Sequence, residues 1–260
     1  MIGFEIEVRS AVLPFPARTG GALREPRANP AFDWTVEAGT CHVVIGESGS
    51  GKTTLLRVLL GLVPLRAGTV RVGPFQHPLR TARERAAFAR AVAVIPQDAV
   101  GSLDPLWSAW RIVAEPLVIH GVVSRRAEAR ERASQLLAGV GLTPDLLDRR
   151  PAELSGGQCQ RVAVARALAL SPSLILADEP FSSLDPVRAE EVLDLLMRVR
   201  ERARATLVLV SHSLWAVRTI ADRVTVFADG RPVETASPER SSYRSVDQGG
   251  RRPVTIQPEM

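Results

Sequence analysis

An α/β fold built on a parallel sheet is predicted from three observations. From Leu174 onward, strand-like and helix-like segments alternate at the spacing of strand–helix–strand crossovers. Upstream, the apolar run Val43-Val44-Ile45 leads directly into a Gly-rich loop and then a helix-like run. Between these parts, from about Pro105 to Leu170, Leu and Ala recur at three- and four-residue spacing, the pattern of an inserted helical subdomain.

The elements follow in order. Residues 3–9, GFEIEVR, alternate apolar and polar as an edge strand does. Residues 16–31 hold Pro, Gly and Arg with no period and read as a loop. Phe32–Val36 and His42–Ile45 read as short strands around a turn at Ala38-Gly39. TLLRVLLGL is helix-like, and Val92–Ile95 is a buried type of strand. LILA at 174–177, TLVLV at 206–210 and RVTVF at 223–227 read as strands, with helices over Val187–Arg202 and Leu214–Ala221 between them. From Ser241 the chain is polar and aperiodic, a loose tail. The sequence shows no internal repeat.

Composition excludes several classes. The chain has 260 residues, a size for one large domain or two small ones, and 45% hydrophobic residues, enough for a core. Cys41 and Cys159 stand far apart with no CxxC spacing, which argues against a disulfide framework or a zinc site. No apolar run reaches the length of a membrane span, and MIGFEIEVRS is no basic-then-apolar leader, so a chain that neither crosses a membrane nor is exported is expected. The net charge of +5 hints at nucleic acid, but the arginines are spread out. Arg126–Arg132 and Arg198–Arg204 alternate with Glu as solvated helix faces do. Of 33 basic residues only Lys52 is lysine.

Lys52 lies in Gly46-Glu47-Ser48-Gly49-Ser50-Gly51-Lys52-Thr53, which matches GxxxxGK[ST] at every fixed position. Glycines let successive N–H groups curl round a phosphate, and the following helix points its positive end at the same anion. A compact ammonium fits such a closed cradle where a planar Arg fork does not. The Thr53 hydroxyl suits Mg²⁺. The alternative is a Gly/Ser turn that only caps a helix. At 174–179, an apolar strand ends in Asp178 and Glu179, carboxylates set at the carboxyl edge of a sheet. Asp178 can hold Mg²⁺ through water and Glu179 can deprotonate an attacking water. The alternative there is a cap pair before Pro180. Leu154-Ser155-Gly156-Gly157-Gln158 then opens an amphipathic helix, a second anion-binding helix start. With one cradle already complete, its use is a γ-phosphate held by another subunit.

Together these motifs resemble the nucleotide-binding domain of the ATP-binding cassette (ABC) superfamily. GESGSGKTT, extending to Thr54, resembles its Walker A, LSGGQ its signature and LILADE its Walker B. Ser182-Ser183-Leu184-Asp185 resembles the D-loop, Gln97 the Q-loop glutamine and His212 the switch histidine, all in the family's order over 46–212. The resemblance implies a P-loop NTPase cassette with a mixed or parallel sheet core, antiparallel N-terminal strands and an inserted helical subdomain. It implies one domain over 1–240, with the helical part at roughly 98–170 and a tail at 241–260. It implies that Gln97 contacts Mg²⁺ or the attacking water, that His212 touches the γ-phosphate, and that Ser183 and Asp185 bridge subunits. Cys159 has no implied role.

A narrower resemblance is to the peptide and nickel importer branch. It rests on PQDAVGSLDP at 96–105 and on Arg150 to Ser155 with the run to ARAL. In that branch a permease coupling helix docks near the Q-loop glutamine, and Leu106, Trp107 and Trp110 line that groove or belong to the core. The family's adenine-stacking aromatic, some 25 residues before Walker A, has no counterpart. Phe15 is the nearest upstream, Phe32 belongs to the following strand, and Arg24 or Arg27 are substitutes. The chain also lacks the branch's His-Pro-Tyr-Thr extension, having only Ser242-Tyr243-Arg244, which leans toward nickel or metallophore members.

The expectation is therefore an ATPase energising an importer of peptides or nickel chelates, bound peripherally at the cytoplasmic face of the membrane. Its expected partners are a second ABC ATPase, as a heterodimer in preference to a homodimer, two permease subunits and, indirectly, an extracytoplasmic binding protein, with no nucleic acid. ATP and Mg²⁺ are the expected cofactors. The competing readings are a soluble cassette acting on nucleic acid or ribosomes, and the ATPase of an efflux or lipid-extraction system.

Overall fold

The computed structural model describes residues 3–14, 30–98, 100–181, 186–211 and 218–241. Two sheets carry the fold. In the smaller, β1 (Ile6–Val12), whose alternation reads as an edge strand, is instead an interior strand paired on both sides, in an antiparallel set ordered β2 (Phe32–Val36), β1, β4 (Ala67–Val72), β5 (Phe75–Gln76). Its alternating burial is that of a sheet with one dry face, as Phe32, Trp34 and Val36 are buried while Asp33 and Thr35 are exposed.

The larger sheet has six strands in the order β10 (Arg231–Ala236), β9 (Arg223–Ala228), β3 (Cys41–Ile45), β8 (Thr206–Val210), β7 (Leu174–Asp178), β6 (Val92–Ile95). All neighbours are parallel except the β9–β10 pair at one edge. Every residue of β3 and β8 is buried, because both faces of the sheet are covered. Alternate residues feed different cores. Val43, Ile45, Ile175, Ala177, Leu207 and Leu209 face one hydrophobic cluster with α5 (Gly156–Leu168). Val44, Leu174, Leu176, Val208 and Val210 face the other, with α1 (Lys52–Leu59) and the dry side of the small sheet. Each Val, Leu or Ile among them contributes about 1.5–3 kcal/mol on burial.

Between β6 and β7 the chain is helical. It runs through α3 (Ala109–Ile119), α4 (Arg126–Gly139), two short 3₁₀ turns and α5. Trp110 is buried at 5% exposure and is core, Trp107 is half-buried against the same cluster, and Leu106 is 74% exposed. The sequence left groove lining and core open for all three, and the structure divides them, with Trp110 in α3 and Leu106 and Trp107 in the turn before it. The arginines of α4 also do something other than pair along their own helix. Arg126 and Arg130 sit 5.6 and 5.5 Å from the Trp110 ring centre, and Arg130 makes two hydrogen bonds to Asp148, at 2.8 and 2.6 Å.

Four elements escaped the hydrophobic pattern: α2 (Ala82–Ala91), β4, β5 and β10. α2 has one buried residue, Phe88, so its periodicity is weak. Its start is marked instead by a capping box, in which the Thr81 hydroxyl accepts from the Glu84 amide and Glu84 accepts from the Thr81 amide. The expected helix at Leu214–Ala221 and the tail beyond Ser241 fall largely outside the described residues.

Candidate functional site

β3 ends at Ile45 and α1 begins at Lys52, and the loop between them turns on three glycines of positive φ, Gly46, Gly49 and Gly51. Gly46 is required by space. A Cβ there would lie 2.2 Å from the Phe227 carbonyl and 2.9 Å from the Ser50 hydroxyl. The loop is braced from β9 and β10, because the Gly230 amide donates to the Ser50 carbonyl at 2.9 Å. Asp229 and Gly230 both have positive φ, as a two-residue hairpin turn requires. That Asp-Gly pair was a legible signal for β10.

Lys52 is 5% exposed. Its ammonium donates to the Gly46 and Glu47 carbonyls at 2.9 and 2.8 Å and approaches the Ser50 hydroxyl at 3.4 Å. Burial pulls its pKa below the usual lysine value, while Glu179, Asp178 and Glu47 act the other way. A buried cation among three carboxylates is thus held at the centre of the loop. Glu47, Ser48, Gly49 and Thr53 are exposed at its mouth, Thr54 is half-buried, and Gly46, Ser50 and Gly51 are buried.

The register of the large sheet assembles the rest. Asp178 is the last residue of β7, opposite Val210 of β8. The Thr53 hydroxyl donates to the Asp178 carboxylate at 3.3 Å, joining the loop to the acidic strand end. Burial pushes the Asp178 carboxyl above the usual aspartate value, with Glu179 adding to the rise and the Thr53 hydrogen bond and Lys52 opposing it. Glu179 follows in the left-handed region at φ 44°, half-buried, its amide donating to the Val210 carbonyl at 2.9 Å. Gln97 lies two residues past Ile95, which pairs with Ala177, so it is exposed beyond the same strand edge as Glu179. Ser211 closes β8 with its amide on the Val44 carbonyl at 3.1 Å.

The second phosphate-type element is built differently. Ser155 caps α5, its hydroxyl accepting from the Gln158 amide at 3.3 Å while Gln158 Oε1 accepts from the Ser155 amide at 2.9 Å. Ser155 and Gly156 are exposed, Gly157 and Gln158 half-buried. A Cβ at Gly156 would meet nothing within 4 Å. Cys159 is buried with its thiol 3.5 Å from the Pro151 carbonyl.

The structure thus brings together Gly46 to Thr54, Asp178 and Glu179, places Gln97 beyond the same sheet edge, and sets Ser155 to Gln158 on a separate exposed helix start. His212, Ser183 and Asp185 lie outside the described residues, as do Phe15, Arg24 and Arg27. Phe32 starts β2 and packs edge-on against Phe227 at 6.1 Å, in the core. Sequence reasoning missed the brace on the loop from Phe227 and Gly230.

A strand, a phosphate loop with a buried lysine, and a carboxylate on the parallel strand two places along the sheet that accepts from the loop's threonine define a P-loop fold of the ATP-binding cassette type. Residues 31–182 match the family model described as ABC transporter. The chain is 41% identical over 208 residues to a probable peptide ABC transporter ATP-binding protein, y4tS, of Sinorhizobium fredii, covering 80% of this chain and 59% of that protein. It is 40% identical over 192 residues to the oligopeptide transport ATP-binding protein OppF of Escherichia coli, covering 74% of this chain and 57% of OppF. Among solved structures it is similar to the dimeric ATP-binding cassette MJ0796 in a post-hydrolysis state with ADP and Pi. The TM-score is 0.77 at 27% identity, over 90% of this chain and 98% of that one. The chain belongs to the ABC transporter family. It spans less than two thirds of the length of these two curated relatives.

Proposed function

We propose that this chain binds and hydrolyses ATP to energise an importer, with peptides as the cargo class. The observation that carries the hydrolytic part is the convergence at one sheet edge of the Lys52 cradle, the Thr53–Asp178 pair at 3.3 Å and the Glu179 carboxylate. In this reading the loop from Gly46 to Thr54 holds the phosphates. Lys52 gives up its bonds to loop carbonyls for the β- and γ-phosphate oxygens. Glu179 takes the proton of the attacking water. Gln97 and His212 complete the arrangement around the γ-phosphate.

Mg²⁺ fits the donors present, since a hydroxyl and a carboxylate are hard oxygen ligands and already approach each other. Thr53, Asp178 (through water) and Gln97 would hold it, and it would neutralise charge on the phosphates. The ion also suits the raised Asp178 carboxyl, because a nearby cation favours the charged form.

The second element, Ser155 to Gln158, acts on ATP held by another subunit. Its exposure and the open space over Gly156 support this. Ser183 and Asp185 bridge the two subunits, and the partner ATPase is a different chain. One cassette spans 1–240, with its helical part at roughly 98–170 and a tail after it. Two permease subunits receive the cassettes, and an extracytoplasmic binding protein feeds them, so the chain sits peripherally at the cytoplasmic face. No helix among the described residues is long and apolar enough to cross a membrane. Peptide cargo is supported by the names of y4tS and OppF.

The test is uptake of a labelled oligopeptide by cells lacking the gene. The parent chain should restore it and the Glu179→Gln chain should not. Restoration by both, or uptake of labelled nickel and not of peptide, would contradict the proposal.

A further inference from the structure

We infer that Gln160 is a positioning residue for Glu179, acting through the Pro180 carbonyl. The inference rests on the reading of Glu179 as the general base. Glu179 is one of five non-glycine residues with positive φ among those described, at 44°. That conformation places Cβ close to the following carbonyl and costs an L-residue roughly 1–2 kcal/mol, so it persists only where its surroundings impose it. Two hydrogen bonds impose it here. Before the side chain, the Glu179 amide donates to the Val210 carbonyl at 2.9 Å. After it, the Pro180 carbonyl accepts from Gln160 Nε2 at 3.1 Å.

Gln160 suits this task. It is 2% exposed, so its amide is not competing with water. A carbonyl can only accept, which fixes the Gln160 amide with its nitrogen toward Pro180. Proline has no N–H of its own to tether the segment, so the bond to its carbonyl is a hold the backbone could not otherwise supply. Gln160 also stands on a well-anchored helix. Its neighbour Arg161 pairs with Glu191 of α6 (Pro186–Ala203) and donates to the Val140 carbonyl at 3.2 Å. Further along the same helix, Arg166 donates to the Ser102 carbonyl at 2.7 Å. The base is therefore held between the end of a core strand and a helix fixed at two other points.

If Gln160 sets the direction of Glu179, its loss should lower turnover without weakening ATP binding. The experiment compares Gln160→Met, which keeps the size and removes the donor, with Gln160→His, which offers an N–H at similar reach. Both are made in the full chain within its assembled ATPase, alone and combined with Glu179→Gln. The expected result for Gln160→Met is a kcat lower by about 10- to 100-fold, the cost of misplacing a reacting group by an ångström or less. KM for ATP should stay within about twofold, and Gln160→His should recover part of kcat. In the Glu179→Gln background, Gln160→Met should add no further loss, since both act on one group.

Multiplying losses, or a raised KM with kcat unchanged, would overturn the role of Gln160 while leaving Glu179 as the base. Unaltered turnover in Glu179→Gln alone would instead remove the base, and the inference with it. Should Gln160→Met fail to fold, Gln160→Asn, too short to reach Pro180, carries the same comparison.

Discussion

The loop at 46–53 and the helix start at 155–158 are the two proposed phosphate-binding elements, and they differ in what backs them. The loop is closed from behind. Gly46 abuts Phe227, Ser50 is held from Gly230, and Lys52 is buried against two carbonyls. The helix start is closed only on itself, through the reciprocal Ser155–Gln158 bonds, and open space lies over Gly156. On the proposed function, the loop that holds its ligand alone is built into the sheet, and the helix start that completes another subunit's pocket stands clear of its own core. The proposal thus gives two Gly-rich elements two tasks, and their packing differs accordingly.

The largest expected effect lies on the loop side. Glu179→Gln should keep ATP binding and lower turnover by about 10²–10⁴-fold, read by nucleotide binding and phosphate release side by side. Parental turnover would sever the acidic strand end from the loop. Next is stability. Gly46→Ala forces the Phe227 backbone to move and should destabilise the fold by about 3 kcal/mol, read by denaturant titration. An unchanged midpoint would show that the hairpin behind the loop is not a firm wall.

Lys52→Arg preserves charge but cannot fit a fork where an ammonium meets two carbonyls within 2.9 Å. ATP affinity should fall by about 10–100-fold, the loss of a charge-assisted hydrogen bond. The smallest effect concerns pH. The folded Asp178 carboxyl titrates above its unfolded value, so the native state binds the proton more readily. Stability is therefore lost as pH rises from the ordinary aspartate value through the raised one, and ionised Asp178 costs stability at pH 7. Asp178→Asn should then melt higher at pH 7, by roughly 2 °C in a domain of this size, while losing hydrolysis. A lower melting point would contradict that electrostatic account.

Much of this contrast was legible in the residues. Lys52 stood out as the lone lysine, and the strands read at 42–45, 174–177 and 206–210 announced themselves as apolar runs, because a sheet covered on both faces allows little else. The wall behind the loop was not legible by periodicity. β10 alternates exposed and half-buried residues, and only the Asp229-Gly230 turn marks it. The hold of Gln160 on Pro180 was also hidden, since a buried glutamine in a helix shows its partner only once the chain is folded. Burial of Trp110 likewise depended on how α3 packs against α4 and α5, while the exposed Leu106 lies in the turn before that helix.

The most direct test of the division between the two elements is Gly156→Asp. An acidic residue in the first turn of α5 meets open space and favours the helix, so the fold should be unchanged or slightly more stable. It would, however, repel a phosphate brought to that end. The account predicts parental ATP affinity for the isolated chain and a turnover at least tenfold lower in the assembled ATPase. Weakened ATP binding by the isolated chain, or full turnover in the assembly, would contradict it.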